Sequence, residues 1–403
     1  MKNIRERLTN KLKYMDYYIL IPFFVLTCIG IVMVYSASSS TVVQIGLSAN
    51  YYLKKQALYA ILSFIIVGIV FLINHHALVT TKAIYMFMIV GVGISLLFLI
   101  GLAHLHPSSA VNGATAWIRL GPINIEPSEL AKLTIIMYLA YVFANHSDIN
   151  TAVNLKTFYH NNARPITIAA GFCLLILLQP DTGGMTILAT IIIIMIATSG
   201  MSVKNVFKCL AILIAILTVG WLWIVNFPPT WMTHSYQYQR IVAFLHPFKY
   251  AKAGGTQLVN SYYAIVNGGA FGRGIGQSIQ KRGFLPEPYT DFIMSVITEE
   301  LGVVGAVVIL ALLFFLIGRI ILVGIRARKT YNALICFGVG TWLFIQTCFN
   351  IGGMLGLLPI TGVTLPFISY GGTSMIVLAV AIGLVLNVDA DEKKLRLHLK
   401  SKK

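Results

Sequence analysis

The chain has 403 residues, 57% of them hydrophobic and only 11% charged, with a mean hydropathy of +0.81. That excludes a soluble globular domain. With no long polar block, it also excludes a membrane anchor carrying a soluble enzyme, so the expected fold class is an all-α polytopic membrane protein. The net charge of +17 is spread over the terminal arms and the loops between apolar runs, which points to a membrane surface and to no nucleic acid.

In chain order, Met1 to Asp16 forms a basic arm, with Lys2, Arg5, Arg7, Lys11 and Lys13. The apolar run that follows, Tyr17 to Ala37, is too long for a signal-peptide core and reads as a retained helix. Further spans are expected at Gln56–Ile73, Ala83–Ala103, Ser128–Asn145, Pro165–Leu178, Thr182–Val203, Cys209–Asn226, Phe292–Val323, Asn332–Leu358 and Pro366–Val388. These make about ten transmembrane helices in one membrane domain, residues 17–388, followed by a basic tail at 389–403. With the N-terminus inside, most of the 30 Lys and Arg residues fall in cytoplasmic segments, so both termini are expected to be cytoplasmic. The one long loop, 227–290 between helices 7 and 8, is then external.

The five cysteines all lie in apolar segments and are odd in number. Neither a disulfide framework nor a zinc cluster is suggested. His75-His76 and His104-x-His106 lack carboxylates at ligand spacing and read as interfacial residues.

In this orientation nearly every unusual polar residue lies at the external ends of the helices. Trp117 and Arg119 stand in the loop before the fourth span. Glu129 and Lys132 follow on that span, three residues apart on one face. The charge-free remainder, Leu133 to Asn145, is too short to cross a bilayer, which places Lys132 at membrane depth, where a charge is costly and usually functional. The long loop carries Arg240, Lys249, Lys252, Arg273, Lys281 and Arg282 against one acid, Glu287. That charge suits an external loop only where something anionic is held. Its glycines, Gly268 to Gly276, lack a nucleotide-loop pattern and suit tight turns and close backbone approach.

Asp291 closes the loop at an expected helix start. There it could be an N-cap at a membrane surface, or a general base on a hydroxyl nucleophile beside Lys281 and Arg282. It would share a polar face with Ser295 and Thr298. Cations on both the fourth span and the loop suit a lipid-linked phosphate or pyrophosphate. From the residues alone, the chain handles an anionic lipid at its outer face.

The motifs Asn112-Gly-Ala-x-x-Trp-Ile-Arg119, Pro127-Ser-Glu-x-x-Lys132, Gln179-Pro-Asp181, Asn260-Ser-Tyr-Tyr-Ala-Ile265, Leu285-Pro-Glu-x-x-Thr-Asp-Phe292, Glu299-Glu-Leu-Gly302 and Pro366-Phe-Ile-Ser-Tyr-Gly-Gly372 resemble the SEDS family, the shape, elongation, division and sporulation proteins of bacteria. The likeness runs end to end and is nearer the cell-division branch than the elongation branch. It implies a peptidoglycan glycosyltransferase that polymerises lipid II, with inverting displacement of undecaprenyl pyrophosphate and Asp291 as catalytic base. It further implies Trp117, Arg119, Glu129, Lys132, Arg240, Lys281 and Ser369 as substrate-binding residues. Expected partners are lipid II and undecaprenyl-pyrophosphate-linked glycan, a class B penicillin-binding protein and other division proteins. The expected location is the bacterial cytoplasmic membrane at the septum. No cofactor is required by the sequence; a divalent cation could assist the leaving group, though no residue cluster demands one. Tyr289 stands where relatives usually carry His, and Glu126 where Gln is common, which leaves Glu129 as the acid matching the pattern. The competing expectation is a lipid II flippase.

Overall fold

The computed structural model describes residues 11–75, 81–105, 116–120, 123–146, 155–227, 229, 233, 236–251 and 254–401. The first ten residues of the basic arm, the Asn112-Gly-Ala motif, His76, His106 and Lys252 lie outside them. Thirteen helices run in order among the described residues. They are α1 (Tyr17–Gln44), α2 (Tyr51–Leu72), α3 (Lys82–Leu105), α4 (Pro127–Asn145), α5 (Leu155–Asn161), α6 (Ala163–Leu177), α7 (Thr182–Thr198), α8 (Val203–Asn226), α9 (Tyr236–Leu245), α10 (Thr256–Gly268), α11 (Ile293–Arg326), α12 (Thr330–Met354) and α13 (Gly372–Ser401). A two-stranded hairpin, β1 (Ile118–Leu120) and β2 (Ile123–Ile125), precedes α4, with Arg119 opposite Asn124.

Seven described helices are long and apolar enough to cross a membrane, and α6 and α7 are shorter apolar helices. Together with α8 they occupy the ten expected spans, and the chain is an all-α polytopic membrane protein. α5, α9 and α10 lie in the connecting segments.

Several boundaries differ from expectation; α2 and α8 start five and six residues early, at Tyr51 and Val203. α1 runs past Ala37 to Gln44. α13 starts at Gly372, because 365–369 is folded into a turn closed by Ser369 N donating to the Leu365 carbonyl. The basic tail expected from 389 is the continuation of α13.

α11 is not one straight span. It breaks at Gly302 (φ 75°, ψ 176°), a backbone conformation closed to a residue with a Cβ. The groups freed there are met by the Gly268–Gly276 loop: Arg273 N and Gly274 N donate to the Glu299 and Glu300 carbonyls, and Val303 N and Val304 N donate to Gly269 and Ala270. The glycines permit this stitching of backbone to backbone, which supplies partners for groups that a helix break would otherwise leave bare at membrane depth.

The two ends of the bundle differ in chemistry. At one end Asp16 caps α1 by accepting from Tyr18 N (2.9 Å) and pairs with Arg319 (2.7 Å), while Lys393 pairs with Asp389 (2.6 Å). There Glu392 also accepts from Arg328 N, Lys329 N and Asn332. This end joins the start of α1 to the C-terminal part of α13, in keeping with an even number of crossings. The opposite end gathers the long loop, the hairpin and the starts of α2, α4, α7 and α13. In a cysteine-free background, Arg282→Cys is expected to react with a membrane-impermeant maleimide added outside the cell, and Arg328→Cys only after permeabilisation. The reverse pattern would move the site described next to the cytoplasm.

Candidate active site

A cavity of about 400 Å³ opens at the loop-bearing end. It is lined by α2, the hairpin, α4, the α6–α7 turn, α9, the segment before α11, the turn at 361–364 and the start of α13. Of the residues expected in the site, Trp117, Arg119, Glu129, Lys132, Arg240 and Asp291 all line it.

Asp291 is not a helix cap. The N-cap position of α11 is Phe292, and no side chain caps that helix. Asp291 instead has its main-chain carbonyl held by Asn350 Nδ2 (2.7 Å), which also donates to the Val363 carbonyl (2.8 Å). A Cβ built on Gly362 would stand 3.4 Å from Asp291 Oδ2 and 3.5 Å from both terminal nitrogens of Arg240. The carboxylate and the guanidinium therefore stand next to the same glycine. Arg240 is anchored by donating from Nη1 to the Ile360 carbonyl (3.1 Å). Burial pushes Asp291 up to about 6, Arg240 opposing the shift and Glu287 adding to it. The expected helical face of Asp291, Ser295 and Thr298 is not formed. Ser295 bonds Ser261 (2.8 Å), and Thr298 donates to the Met294 carbonyl.

Elsewhere in the lining Lys132 is 2% exposed and pairs with Glu129 at 2.7 Å. Its ammonium lies 5.2 Å from the Trp342 ring centroid, a cation–π contact. Trp342 Nε1 donates to Gln346 Oε1 (2.7 Å), and Gln346 Nε2 donates to the Thr364 carbonyl (2.9 Å). One stripe of α12, Trp342, Gln346 and Asn350 at i, i+4 and i+8, thus supports Lys132, the 361–364 turn and Asp291 together.

The cavity is less cationic than expected. Against Lys55, Arg119, Lys132 and Arg240 stand Glu126, Glu129, Asp181, Glu287 and Asp291. Burial, with Glu129 and Asp181 nearby, pushes the Glu126 carboxyl well above the usual carboxylate range, and burial raises Asp181 as well. Asp181 also caps α7 by accepting from Gly184 N (2.8 Å). Among the described residues no group of three or more His, Cys, Asp or Glu side chains is placed to hold a metal ion.

Two expected site residues lie elsewhere. Lys281 is 3% exposed, outside the cavity lining, with its ammonium 2.6 Å from Glu300 and 3.0 Å from Ser36 Oγ. A buried cation is satisfied by a buried carboxylate, so the partner of Asp291 is Arg240 and not Lys281. The neighbouring Glu299 accepts from Ser278 Oγ and from the backbone N–H groups of Ile279 and Gln280, clamping that loop to α11. Ser369 is a positioning residue. Its hydroxyl donates to the Thr290 carbonyl (2.6 Å) and accepts from Leu365 N (2.8 Å), fixing the residue before Asp291.

Sequence reasoning missed Glu126, Asp181 and Glu287 as lining residues, along with the supporting stripe on α12. A Trp-x-x-x-Gln-x-x-x-Asn repeat inside an apolar span was the available signal for the stripe.

The chain matches the family described as cell cycle protein, FtsW, RodA and SpoVE, over residues 17–394. It is similar to the probable peptidoglycan glycosyltransferase FtsW of Lactococcus lactis, at 40% identity covering 96% of this chain and 94% of the relative. To that of Bacillus subtilis it is 36% identical, covering 94% and 92%. Among solved structures it resembles a chain of a peptidoglycan synthase complex that coordinates polymerisation and crosslinking, with TM-score 0.71 and 26% identity over 94% of this chain and 98% of that one. It also shares the fold of Thermus thermophilus RodA, with TM-score 0.63 and 22% identity over 94% and 97%. With the motifs, the ten spans and the family match agreeing along nearly the whole length, this chain belongs to the SEDS family of FtsW, RodA and SpoVE.

Proposed function

We propose that this protein is a peptidoglycan glycosyltransferase that polymerises lipid II on the outer face of the cytoplasmic membrane. The observation that carries the reading is that the Asp291 carboxylate and the Arg240 guanidinium both stand next to Gly362, in the cavity that also holds the Lys132–Glu129 pair. The names of the curated relatives support it.

Asp291 accepts the proton of the acceptor's GlcNAc 4-hydroxyl as that oxygen attacks the anomeric carbon of the donor's MurNAc. The bond to undecaprenyl pyrophosphate breaks as the new one forms, and one displacement inverts the α-linked donor to a β-linked product. A carboxylate titrating near 6 is ionised at neutral pH yet basic enough to accept the proton. Arg119, Lys132 and Arg240 meet the charge that grows on the leaving pyrophosphate, and Glu129 orients Lys132. Arg240 stands beside both the base and the cavity, so it serves each in turn.

The solved neighbour is a complex for polymerisation and crosslinking. In keeping with that likeness, the partner proposed here is a class B penicillin-binding protein; the division septum is proposed as the site of action from the resemblance to the cell-division branch. A flippase needs a polar route through the bilayer. The ionisable lining residues instead collect at the outer end, and the inner end is tied by Asp16, Arg319, Lys393 and Asp389.

The test is reconstitution of the purified protein, alone and with a class B penicillin-binding protein, in vesicles carrying labelled lipid II. Glycan strands resolved by gel are the expected product. Translocated lipid II with no strands under either condition would overturn the reading.

A further inference from the structure

One wall of the cavity is aromatic and has no part in the chemistry above. Tyr52 of α2, Tyr289 of the long loop and Tyr370 before α13 line the cavity together with Tyr59. The Tyr52 ring lies 4.6 Å from Tyr289 and 4.6 Å from Tyr370, and Tyr289 and Tyr370 are 6.1 Å apart. The hydroxyls of Tyr289 and Tyr52 are bonded at 3.2 Å.

This cluster is built to a fixed position relative to Asp291. Tyr370 N donates to the Tyr289 carbonyl (2.9 Å), and the adjacent Ser369 hydroxyl donates to the Thr290 carbonyl (2.6 Å). Gln56 of α2 donates to the Ser369 carbonyl (3.4 Å). The bonds that set the backbone of residues 289 and 290 therefore set both the rings and the carboxylate that follows. Gly372 seats the Tyr59 ring, against which any Cβ at that position would press. Tyrosines at the outer end of a membrane protein often form an interfacial belt at the lipid perimeter. These line a concave wall alongside Thr290, Asp291 and Arg240.

A half-exposed tyrosine offers an apolar face and a polar rim with a hydroxyl. A pyranose offers the same pair of features: a face of C–H groups and an edge of hydroxyls and amides. We propose that Tyr52, Tyr289 and Tyr370 form a saccharide platform that seats the terminal N-acetylated sugar of the acceptor, with its free hydroxyl turned to Asp291. The assignment to the acceptor rests on the polymerase reading. In that reading the cations hold the donor's pyrophosphate, and the base must reach the acceptor's hydroxyl.

The probe is a GlcNAc-MurNAc disaccharide capped as its methyl glycoside, which carries the acceptor hydroxyl and has no leaving group. Its binding to the full-length purified protein is measured by ligand-observed NMR, beside the KM and kcat for lipid II and the melting temperature. Tyr52→Leu and Tyr370→Leu are each expected to weaken disaccharide binding ~10-fold, the scale of one lost aromatic contact, and to raise KM more than they lower kcat. Tyr52→Phe keeps the ring and stays within about 2-fold of wild type in binding. Wild-type binding by either folded Leu variant would overturn the platform, as would failure of the wild-type protein to bind the disaccharide. Should one Leu variant not fold, the other and Tyr289→Leu decide by the same measure. If the tyrosines govern disaccharide binding but wild type makes no strands, the polymerase reading fails separately from the sugar site.

Discussion

Asp291→Asn is expected to cut glycan-strand formation by ~10²-fold or more, the usual contribution of a general base, with little change in melting temperature. The structure sharpens this expectation, because the alternative role of the residue is gone. Phe292 takes the N-cap position, so the amide gives up no helix cap. The main-chain bond from Asn350 to residue 291 is independent of the side chain. What is lost is a proton acceptor and the charge facing Arg240. The wild-type rate should also rise with pH through about 6, where the carboxyl ionises, because only the ionised form accepts a proton. The residual rate of Asp291→Asn should lack that step. Strand synthesis by folded Asp291→Asn at the wild-type rate, or a wild-type rate flat from about pH 5 to about pH 7, roughly one unit either side of that ionisation, would remove Asp291 from the chemistry.

Lys132→Met should lose activity on a similar scale, ~10²-fold, for want of a cation at the leaving group. Its cost to stability is a separate matter. Lys132 and Glu129 are both buried, and Glu129 Oε2 has no hydrogen-bond partner among the described residues. Removing the lysine leaves a bare carboxylate, a situation that typically costs about 3–5 kcal/mol. The single variant is therefore expected to melt lower than wild type. Lys132→Met combined with Glu129→Gln removes both charges and should recover most of the melting temperature without recovering strand synthesis. The measurements are thermal unfolding in detergent and the strand assay on all three proteins. Recovery of activity along with stability in the double variant would show that Lys132 serves the fold alone.

The spans were legible because they follow from composition read along the chain. Lys132 was legible because the apolar remainder of α4 is too short to cross without it. What could not be read was which cation meets which carboxylate. Arg240 and Lys281 look alike in a basic loop, and the distinction lies in Glu300, a residue on α11 adjacent to another glutamate that makes no ion pair with it. Asp291 at a helix start read equally as cap or base; the single-residue offset of α11 that separates the two is finer than sequence boundaries allow. The tyrosine wall left no local trace, since its rings come from three distant segments. The break at Gly302 was hidden for the same reason: the loop that satisfies it lies some thirty residues earlier.

Lys281 and Glu300 bear on how this sequence can drift. Each is the other's counter-charge in a site closed to water, so a lineage that loses one is left with a stranded charge until it loses the other. Ser36, which donates to Glu300 and accepts from Lys281, belongs to the same unit. The three positions lie on α1, the long loop and α11, far apart in the gene, and are expected to be inherited and exchanged as a set.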